Sequence, residues 1–299
     1  MLIGGIEAGG TKMVCAVADE AGKLIDRMTI PTKTPEMTIP EMFDYFKKWK
    51  IEALGIGCFG PIDPDPTSWT YGYITETPKL AWKNYPIVKS FEDALHVPIG
   101  FDTDVNGAVL GEVVYGAAKG YDCAIYITIG TGIGAGVYCN GKLLHGLVHP
   151  EAGHMLLPRH PKDSFEGGCP YHKSCFEGLA SGPAIEKRWG KSAKELSGKK
   201  EVWELEAFYI AEAIVNYILT YSPQKIILWG GVMHQEQLFP MVREKTKELL
   251  NGYIHHSMIL EHIEDYIVAP GLGENPGILG AVCLGIQAWK ESQNSHVLC

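Results

Sequence analysis

Two things are scarce in this sequence: positive charge and long unbroken apolar runs. Lys and Arg number 26 against 35 Asp and Glu, for a formal net charge of −9. A nucleic-acid partner normally needs a basic face, so that class is set aside. The most apolar stretch, residues 124–137, is interrupted by glycines, Gly130 among them, so no membrane span is expected. A charged leader and a cleavage site are also lacking. The chain starts directly in a strand-like run, and export is not expected. Eight cysteines in 299 residues are too sparse for a disulfide scaffold. Cys15, Cys58, Cys123 and Cys139 lie in or beside strand-like runs and read as buried thiols, which fits a reducing cytoplasm. With 46% hydrophobic and 20% charged residues, the expectation is a soluble globular chain of two domains with ample core.

What is present is a glycine turn between two apolar runs. Residues 2–6 lead into Gly5-Ile6-Glu7-Ala8-Gly9-Gly10-Thr11-Lys12, and residues 13–17 lead out. That pattern reads as a hairpin between buried strands. Gly9 and Gly10 strip side chains from the turn, so a phosphate can reach backbone N–H groups. Thr11 adds a hydroxyl and Lys12 a cation. Glu7 puts a carboxylate where a phosphate-bound Mg²⁺ could be met. The spacing of a P-loop is absent. A second copy follows, in which the β-rich run 124–129 leads into Gly130-Thr131-Gly132-Ile133-Gly134-Ala135-Gly136. Each copy is followed by a small turn and a further apolar segment. Such an internal repeat points to two equivalent halves whose hairpins grip one polyphosphate. The second glycine run does not make a dinucleotide fold, because its phasing is wrong and a strand follows it.

In chain order, strands are expected near 2–7, 13–18 and 23–30. A helix is expected over 37–50, with Met42, Phe43, Phe46 and Trp49 as its core stripe. The apolar run 53–59 suits a strand covered on both faces and ends at Gly60-Pro61. Residues 60–84 then run without periodicity. They carry Trp69, Tyr71, Tyr73 and Trp82, which suit either a sugar-facing wall or packing on the loop's own base. A helix over 86–96, a strand over 97–101 and a helix over about 106–118 follow. Asp104 thus falls at a strand's carboxyl end and a helix start, where open α/β sheets bind ligands. Helix capping would account for one of Asp102 and Asp104, but two acids and Asn106 in five residues exceed what a cap needs. In the second half, strands are expected at 124–129, 135–140, 142–146, 225–229 and 266–269. Helices are expected at 177–190, 202–221, 236–251 and 277–289. Both halves read strand, strand, strand, helix, strand, helix, strand, helix, with the helices at 177–190 and 202–221 together in the first helix place of the second half. The polar tail 291–299 is expected to fray.

The second half also holds an insertion with the pattern Cys169-x₂-His172-x₂-Cys175, and His154 stands upstream of it. Cys₂His₂ is a normal set for a closed tetrahedral Zn²⁺ site, and four ligands make it structural. Residues 158–174 are rich in Pro, Gly and Lys, so they need a clip, and a metal offers one. Glu151 and Glu177 flank this site and are candidates for a substrate wall that it holds.

Taken together, the motifs G-G-T-K (9–12), G-P-I-D (60–63), T-P-K-L-A-W (77–82), T-D-V-N-G-A-V-L-G-E (103–112), G-T-G-I-G-A-G (130–136), H-P-E-A-G-H (149–154), the Cys/His insertion with F-E-G-L-A-S-G-P (176–183) and G-G-V-M (230–233) resemble a bacterial ROK-family sugar kinase of the actin-like ATPase superfamily. Within it the chain looks most like the fructokinases. The resemblance implies an α/β fold of two RNase H-like domains, 1–118 and 119–299. It also implies an interdomain cleft, a zinc-bearing insertion in the second domain and a last helix packing back on the first. It implies ATP, Mg²⁺ and structural Zn²⁺, a cytoplasmic homodimer, and phosphorylation of a free hexose, most simply the 6-hydroxyl of fructose.

Carried over by position, Asp104 would be the catalytic base. Gly60, Pro61, Asn106, Glu151, His154 and Glu177 would line the sugar site, His154 also being a zinc ligand. Gly9 to Lys12 with Thr131 and Gly132 would hold ATP phosphates, and Pro183, Gly230, Gly231, Val232 and Met233 would lie against adenosine. Two positions depart from the family pattern: Glu7 replaces the usual Asp, and the insertion is C-x₂-H-x₂-C instead of the cysteine-richer C-x-C. Glucose, mannose, allose or an N-acyl hexosamine are the rival acceptors. A sugar-sensing regulator or a non-catalytic ATP- or sugar-binding protein is the rival from another class. Only four residues precede Gly5 in this sequence, so the DNA-binding segment of the family's repressors is not expected.

Overall fold

The fold comes from a computed structural model that describes residues 1–295. The chain divides into two compact units. The first gathers Met1–Gly120, Leu143–Pro150 and the segment from Gly271 onward; the second gathers Tyr121–Lys142 and Glu151–Pro270.

In the first unit, β1 (Leu2–Ala8), β2 (Lys12–Asp19) and β3 (Leu24–Pro31) form an antiparallel meander. Helix α1 (Pro35–Phe46) and strand β4 (Ala53–Cys58) come next. A short hairpin of β5 (Tyr73–Ile74) and β6 (Tyr85–Pro86) then leads to α2 (Ile87–Leu95), β7 (Ile99–Thr103) and α3 (Asp104–Tyr115). The sheet order is β3-β2-β1-β4-β7, with β1, β4 and β7 parallel. Period-two alternation sends Ile6, Met13, Cys15, Leu54, Ile56 and Phe101 to one face, where they bury Met42, Phe46 and Phe91 of α1 and α2.

The opposite face carries glycines, and α10 (Pro276–Ser295) lies on it. A Cβ on Gly55 would stand 1.7 Å from the Ala281 carbonyl oxygen, and one on Gly100 would stand 2.2 Å from that of Leu284. The same closeness joins α10 to α3, since a Cβ on Gly280 would stand 1.7 Å from the Gly107 oxygen. Bare backbone on both partners is therefore what lets this helix seat. Glu112, fully buried, pins the entry to α10 by accepting N–H bonds from Ala117, Gly271 and Leu272 at 2.6, 3.0 and 3.0 Å. The terminal acid of the T-D-V-N-G-A-V-L-G-E motif thus serves the fold.

The second unit repeats the scheme. Strands β8 (Cys123–Ile129) and β9 (Ile133–Cys139) form a hairpin, and the short β10 (Lys142–Leu143) lies on its edge. With β11 (Lys225–Trp229) and β12 (Ile267–Val268) the order is β10-β9-β8-β11-β12, the counterpart of the first sheet. Helices α4 (Phe176–Ala180), α5 (Gly182–Trp189), α6 (Lys200–Tyr221) and α7 (Leu238–Leu250) precede two short turns of helix, α8 (Ser257–Leu260) and α9 (Ile263–Tyr266). The apolar face expected on α6 is buried from Trp203 to Ile218. No helix among the described residues is long and apolar enough to cross a membrane.

Several boundaries differ from expectation. The single helix over 177–190 is two, because Ser181 ends α4 and caps α5, its hydroxyl accepting from Ala184 N, and Pro183 in the first turn lacks an N–H. The strand over 142–146 stops at Leu143. The loop 60–84 acquires β5 and a 3₁₀ turn, Leu80–Trp82. Trp82 is buried and donates its indole N–H to the Lys33 carbonyl at 2.7 Å, and Tyr71 stands edge-on to Phe101, so these aromatics form the loop's own base. Trp69 alone among the four stays 90% exposed. The last helix runs on to Ser295 where fraying was expected; the rest of that tail lies outside the described residues.

The seam between α10 and α3 is directly testable. Gly280→Ala gains about 1 kcal/mol of helix propensity, but its methyl meets a carbonyl oxygen with no room to move. Overpacking of this kind costs about 1–3 kcal/mol or more. The clash wins, and the urea midpoint of Gly280→Ala falls below wild type; an unchanged or raised midpoint would show that the helices separate freely.

Candidate active site

The parallel strands β1, β4 and β7 end together, in register Glu7 with Gly57 and Gly57 with Asp102. Chain leaving β7 turns at once into α3. Thr103 is the cap: its hydroxyl accepts from Asn106 N at 3.1 Å. Neither acid is spent on capping. Asp104 is the first residue of α3, half-buried, its carboxylate accepting Val105 N–H at 2.9 Å. It lies close enough to Cys58 for its charge to add to the burial that pushes that thiol well up.

Asp102 is buried and fully engaged. One oxygen accepts from Thr103 N at 2.7 Å and from Asn106 Nδ2 at 2.8 Å, and the other meets His145 Nε2 at 2.8 Å. A buried carboxylate is tolerable only when paired and hydrogen-bonded in this way. The chain His145–Asp102–Asn106 thus holds the Asn106 amide in one orientation beside Asp104. The hydrogen bond to Asp102 raises the His145 pKa, with partial burial working against it and the Asp102 charge adding to it. His149, four residues on, is buried and accepts the Ile62 N–H on Nε2 at 3.2 Å, which anchors the Gly60-Pro61 turn. Burial lowers its pKa. His145 does not stand out in the sequence, and His149 does so only as the first residue of the H-P-E-A-G-H motif, which gives neither a role.

At the β1–β2 turn, Gly9 N donates to Lys12 O at 3.0 Å. Thr32 closes the turn from outside, its hydroxyl donating to Gly9 O at 2.7 Å and its N–H to Thr11 O at 3.0 Å. Thr11 and Lys12 are exposed. Glu7 points toward α10, where a Cβ on Gly277 would stand 2.6 Å from its carboxyl carbon. Burial raises its pKa, Lys12 and Arg27 oppose that, and Glu274 adds to it.

In the second unit, Gly130 N donates to Gly132 O at 2.9 Å, and Gly130 O accepts from Gly182 N at 2.8 Å, which brings Pro183 beside the glycine hairpin. Glu177, at the start of α4, accepts Ile133 N–H at 3.0 Å on Oε2, and that oxygen lies 2.8 Å from where a Gly132 Cβ would stand. Glu151 keeps solvent access, yet crowding by protein raises its pKa and the Glu177 charge raises it further, so the two acids converge. Thr131 is exposed. The turn after β11 is anchored by Val232 N to Ile129 O at 3.0 Å, with Gly230 at φ +101°. Val232 and Met233 bury their side chains, 2% and 3% exposed. What that turn offers a ligand is therefore the backbone of Gly230 and Gly231, not the two side chains.

The ligand atoms of His154, Cys169, His172 and Cys175 all lie within 4.8 Å of one another. His154 Nδ1 stands 3.7 Å from Cys169 Sγ and 3.6 Å from Cys175 Sγ, and His172 Nδ1 stands 3.8 Å from Cys169 Sγ. Tetrahedral Zn²⁺ with ordinary bond lengths separates sulfur from nitrogen by about 3.6 Å, so the donor set fits that ion. The insertion has a second clip that the sequence did not suggest. Asp163 is buried with Arg188 at 3.1 Å and accepts from the Tyr209 hydroxyl at 2.6 Å.

The His145–Asp102 pair makes a pH prediction. A raised native pKa means stabilisation that is complete below the unfolded value, about 6.5, and that fades as pH climbs through the native value. The stability lost in His145→Ala, read from urea midpoints, is therefore larger at pH 6 than at pH 9. A loss that stays constant or grows with pH would contradict the pairing.

Known proteins match the chain along most of its length. The ROK family model matches residues 3–288. A relative from Bacillus subtilis is 54% identical over 287 residues, 96% of each chain. The fructokinase of Pediococcus pentosaceus is 47% identical over 292 residues, 98% of this chain and 100% of its own. The crystal structure of a ROK family glucokinase from Streptomyces griseus in complex with glucose and AMPPNP superimposes with a TM-score of 0.74 at 25% identity, covering 96% of this chain and 100% of that one. Matched from the first strand into the last helix, the chain belongs to the ROK family.

Proposed function

We propose that this protein is an ATP-dependent fructokinase, converting ATP and D-fructose to ADP and fructose 6-phosphate. The observation that carries the fructose assignment is the end-to-end likeness to relatives bearing that name. Asp104 accepts the proton of the sugar hydroxyl as its oxygen bonds to the γ-phosphorus and the bond to the β-phosphate oxygen breaks. Its place supports this role, because it is an acid not needed as a cap, at the carboxyl end of three parallel strands.

Asn106, oriented by Asp102 and His145, binds the sugar, with the Gly60-Pro61 turn that His149 anchors. Glu151, Glu177 and His154 are sugar ligands too, His154 through Nε2 because Nδ1 faces the thiols. N–H groups of Gly10 and Thr11 in the turn that Gly9 closes, with the Lys12 side chain, and N–H groups of Thr131 and Gly132 in the second turn stabilise charge on the phosphoryl oxygens. Pro183 and the backbone of Gly230 and Gly231 support adenosine. Mg²⁺ neutralises phosphate charge when bound; one carboxylate plus substrate phosphates is a usual ligand set for it, and Glu7 is that carboxylate.

A coupled ADP-release assay with Mg-ATP tests the reading against fructose, glucose, mannose and N-acetylmannosamine. Fructose is expected to be the preferred acceptor; preference for another hexose moves the specificity, and no turnover with any sugar sinks the kinase. Asp104→Asn should lower kcat by about 10²–10⁴-fold with fructose affinity retained, and wild-type turnover would remove Asp104 from the role of base.

We assign Zn²⁺ to the Cys169, His172, Cys175 and His154 set as a structural ion. Metal analysis should find one zinc per chain in the wild type and a loss in Cys169→Ser. Chelation should lower the urea midpoint. A metal-free protein whose stability ignores the chelator would argue against the ion.

A further inference from the structure

Gly9 and Gly10 do not owe their place to backbone torsion, since neither adopts the left-handed conformation. Gly9 is needed because a Cβ would stand 2.7 Å from Lys12 O. Gly10 is different. Among the described residues beyond its chain neighbours, the atoms within 4 Å of its missing Cβ belong to one side chain, Lys79, with Cε at 3.0 Å and Cδ at 4.0 Å. The stem of Lys79 therefore lies across the tip of the turn, and a side chain at position 10 would push it off.

Lys79 is held there from its backbone. Thr77 Oγ1 accepts its N–H at 3.3 Å, and its carbonyl accepts from Trp82 N at 2.8 Å. Buried Trp82 is locked in turn by its indole bond to Lys33, just beyond the Thr32 that closes the turn. The ammonium itself is unpaired: among the described residues it has no carboxylate or hydrogen-bond acceptor, although Lys83 in the same loop pairs with Glu76 at 2.6 Å. Beneath it, the carbonyls of Gly9 and Thr11 are engaged by Thr32, while the N–H groups of Gly10 and Thr11 donate to no acceptor among the described residues. Unpaired amides in a turn, under a half-buried cation without a counterion, make an anion site.

We propose that Lys79 is a phosphate-binding residue, its ammonium meeting the terminal phosphoryl group of ATP over the Gly10 turn. The nature of the anion rests on the kinase reading above. The simpler alternative is that the lysine stem merely covers the glycine while its head stays in water. Lys79→Met separates the two, because it keeps the stem and removes the charge.

The test uses the full-length protein and titration calorimetry with Mg-AMPPNP, Mg-ADP and fructose, alongside the coupled assay and urea unfolding. Lys79→Met should bind Mg-AMPPNP at least about tenfold more weakly and lower kcat/KM for ATP by about 10–10²-fold, the range for losing one charge-assisted contact to a phosphoryl group. Mg-ADP should be affected less, and fructose affinity and the urea midpoint should stay put. Lys79→Arg should recover most of the loss. AMPPNP affinity and kcat/KM within twofold of wild type in Lys79→Met would overturn the proposal. So would equal losses in both variants with a lowered urea midpoint, or a wild-type protein that binds no nucleotide. A wild type that binds Mg-AMPPNP but phosphorylates no sugar would end the kinase reading alone, and the comparison of variants would still decide Lys79.

Discussion

The first unit depends on a close approach of bare backbone. Helix α10 can lie on β4, β7 and α3 only because Gly55, Gly100, Gly107 and Gly280 carry no side chain at the seam. Interiors are packed to crystal density, so a single methyl there has nowhere to go. The rest of the unit follows from that seat. It sets α3, and with it Asp104, against the ends of the parallel strands. It places the first turn of α10 against the Glu7 carboxyl. Buried Glu112 then ties the chain entering α10 to the far end of α3, three N–H donors on one carboxylate.

Around Asp104 the arrangement is a matter of where charge can be afforded. Asp102 is buried deeper than Asp104 and is stable because His145, Asn106 and Thr103 satisfy both of its oxygens. Thr103 takes over the capping that an acid could have done. That division of labour spares both acids the role of cap. In the second unit the same economy appears in Glu177, which bonds the backbone of the glycine hairpin and raises the pKa of neighbouring Glu151.

The insertion is held in two independent ways. Its tip closes around two thiols and two imidazoles at tetrahedral spacing, and its base is fixed by the Asp163–Arg188–Tyr209 group. A buried ion pair of this kind adds little net stability but is costly to break, so it fixes geometry more than it adds energy. The two anchors meet at α4 and α5, on either side of the Ser181 cap that breaks the expected helix.

By itself, the sequence determined the features whose physics is local. The two glycine hairpins, the repeated order of strands and helices, the apolar face of α6 and the Cys-x₂-His-x₂-Cys knuckle are written in short spacings, because a period of two or 3.6 residues, or a turn around one ion, needs only neighbouring residues. Tertiary structure decided the rest. The partner of Asp102 is a histidine far along the chain. The reason for Gly10 is a lysine from another loop, and the reason for Gly280 is a carbonyl on another helix. Whether Val232 and Met233 face a ligand or the core, and whether Trp82 lines a wall or a base, depended on which side of each turn became buried. Such choices are set by long-range packing and by the pairing of buried charge, and a linear pattern does not record either.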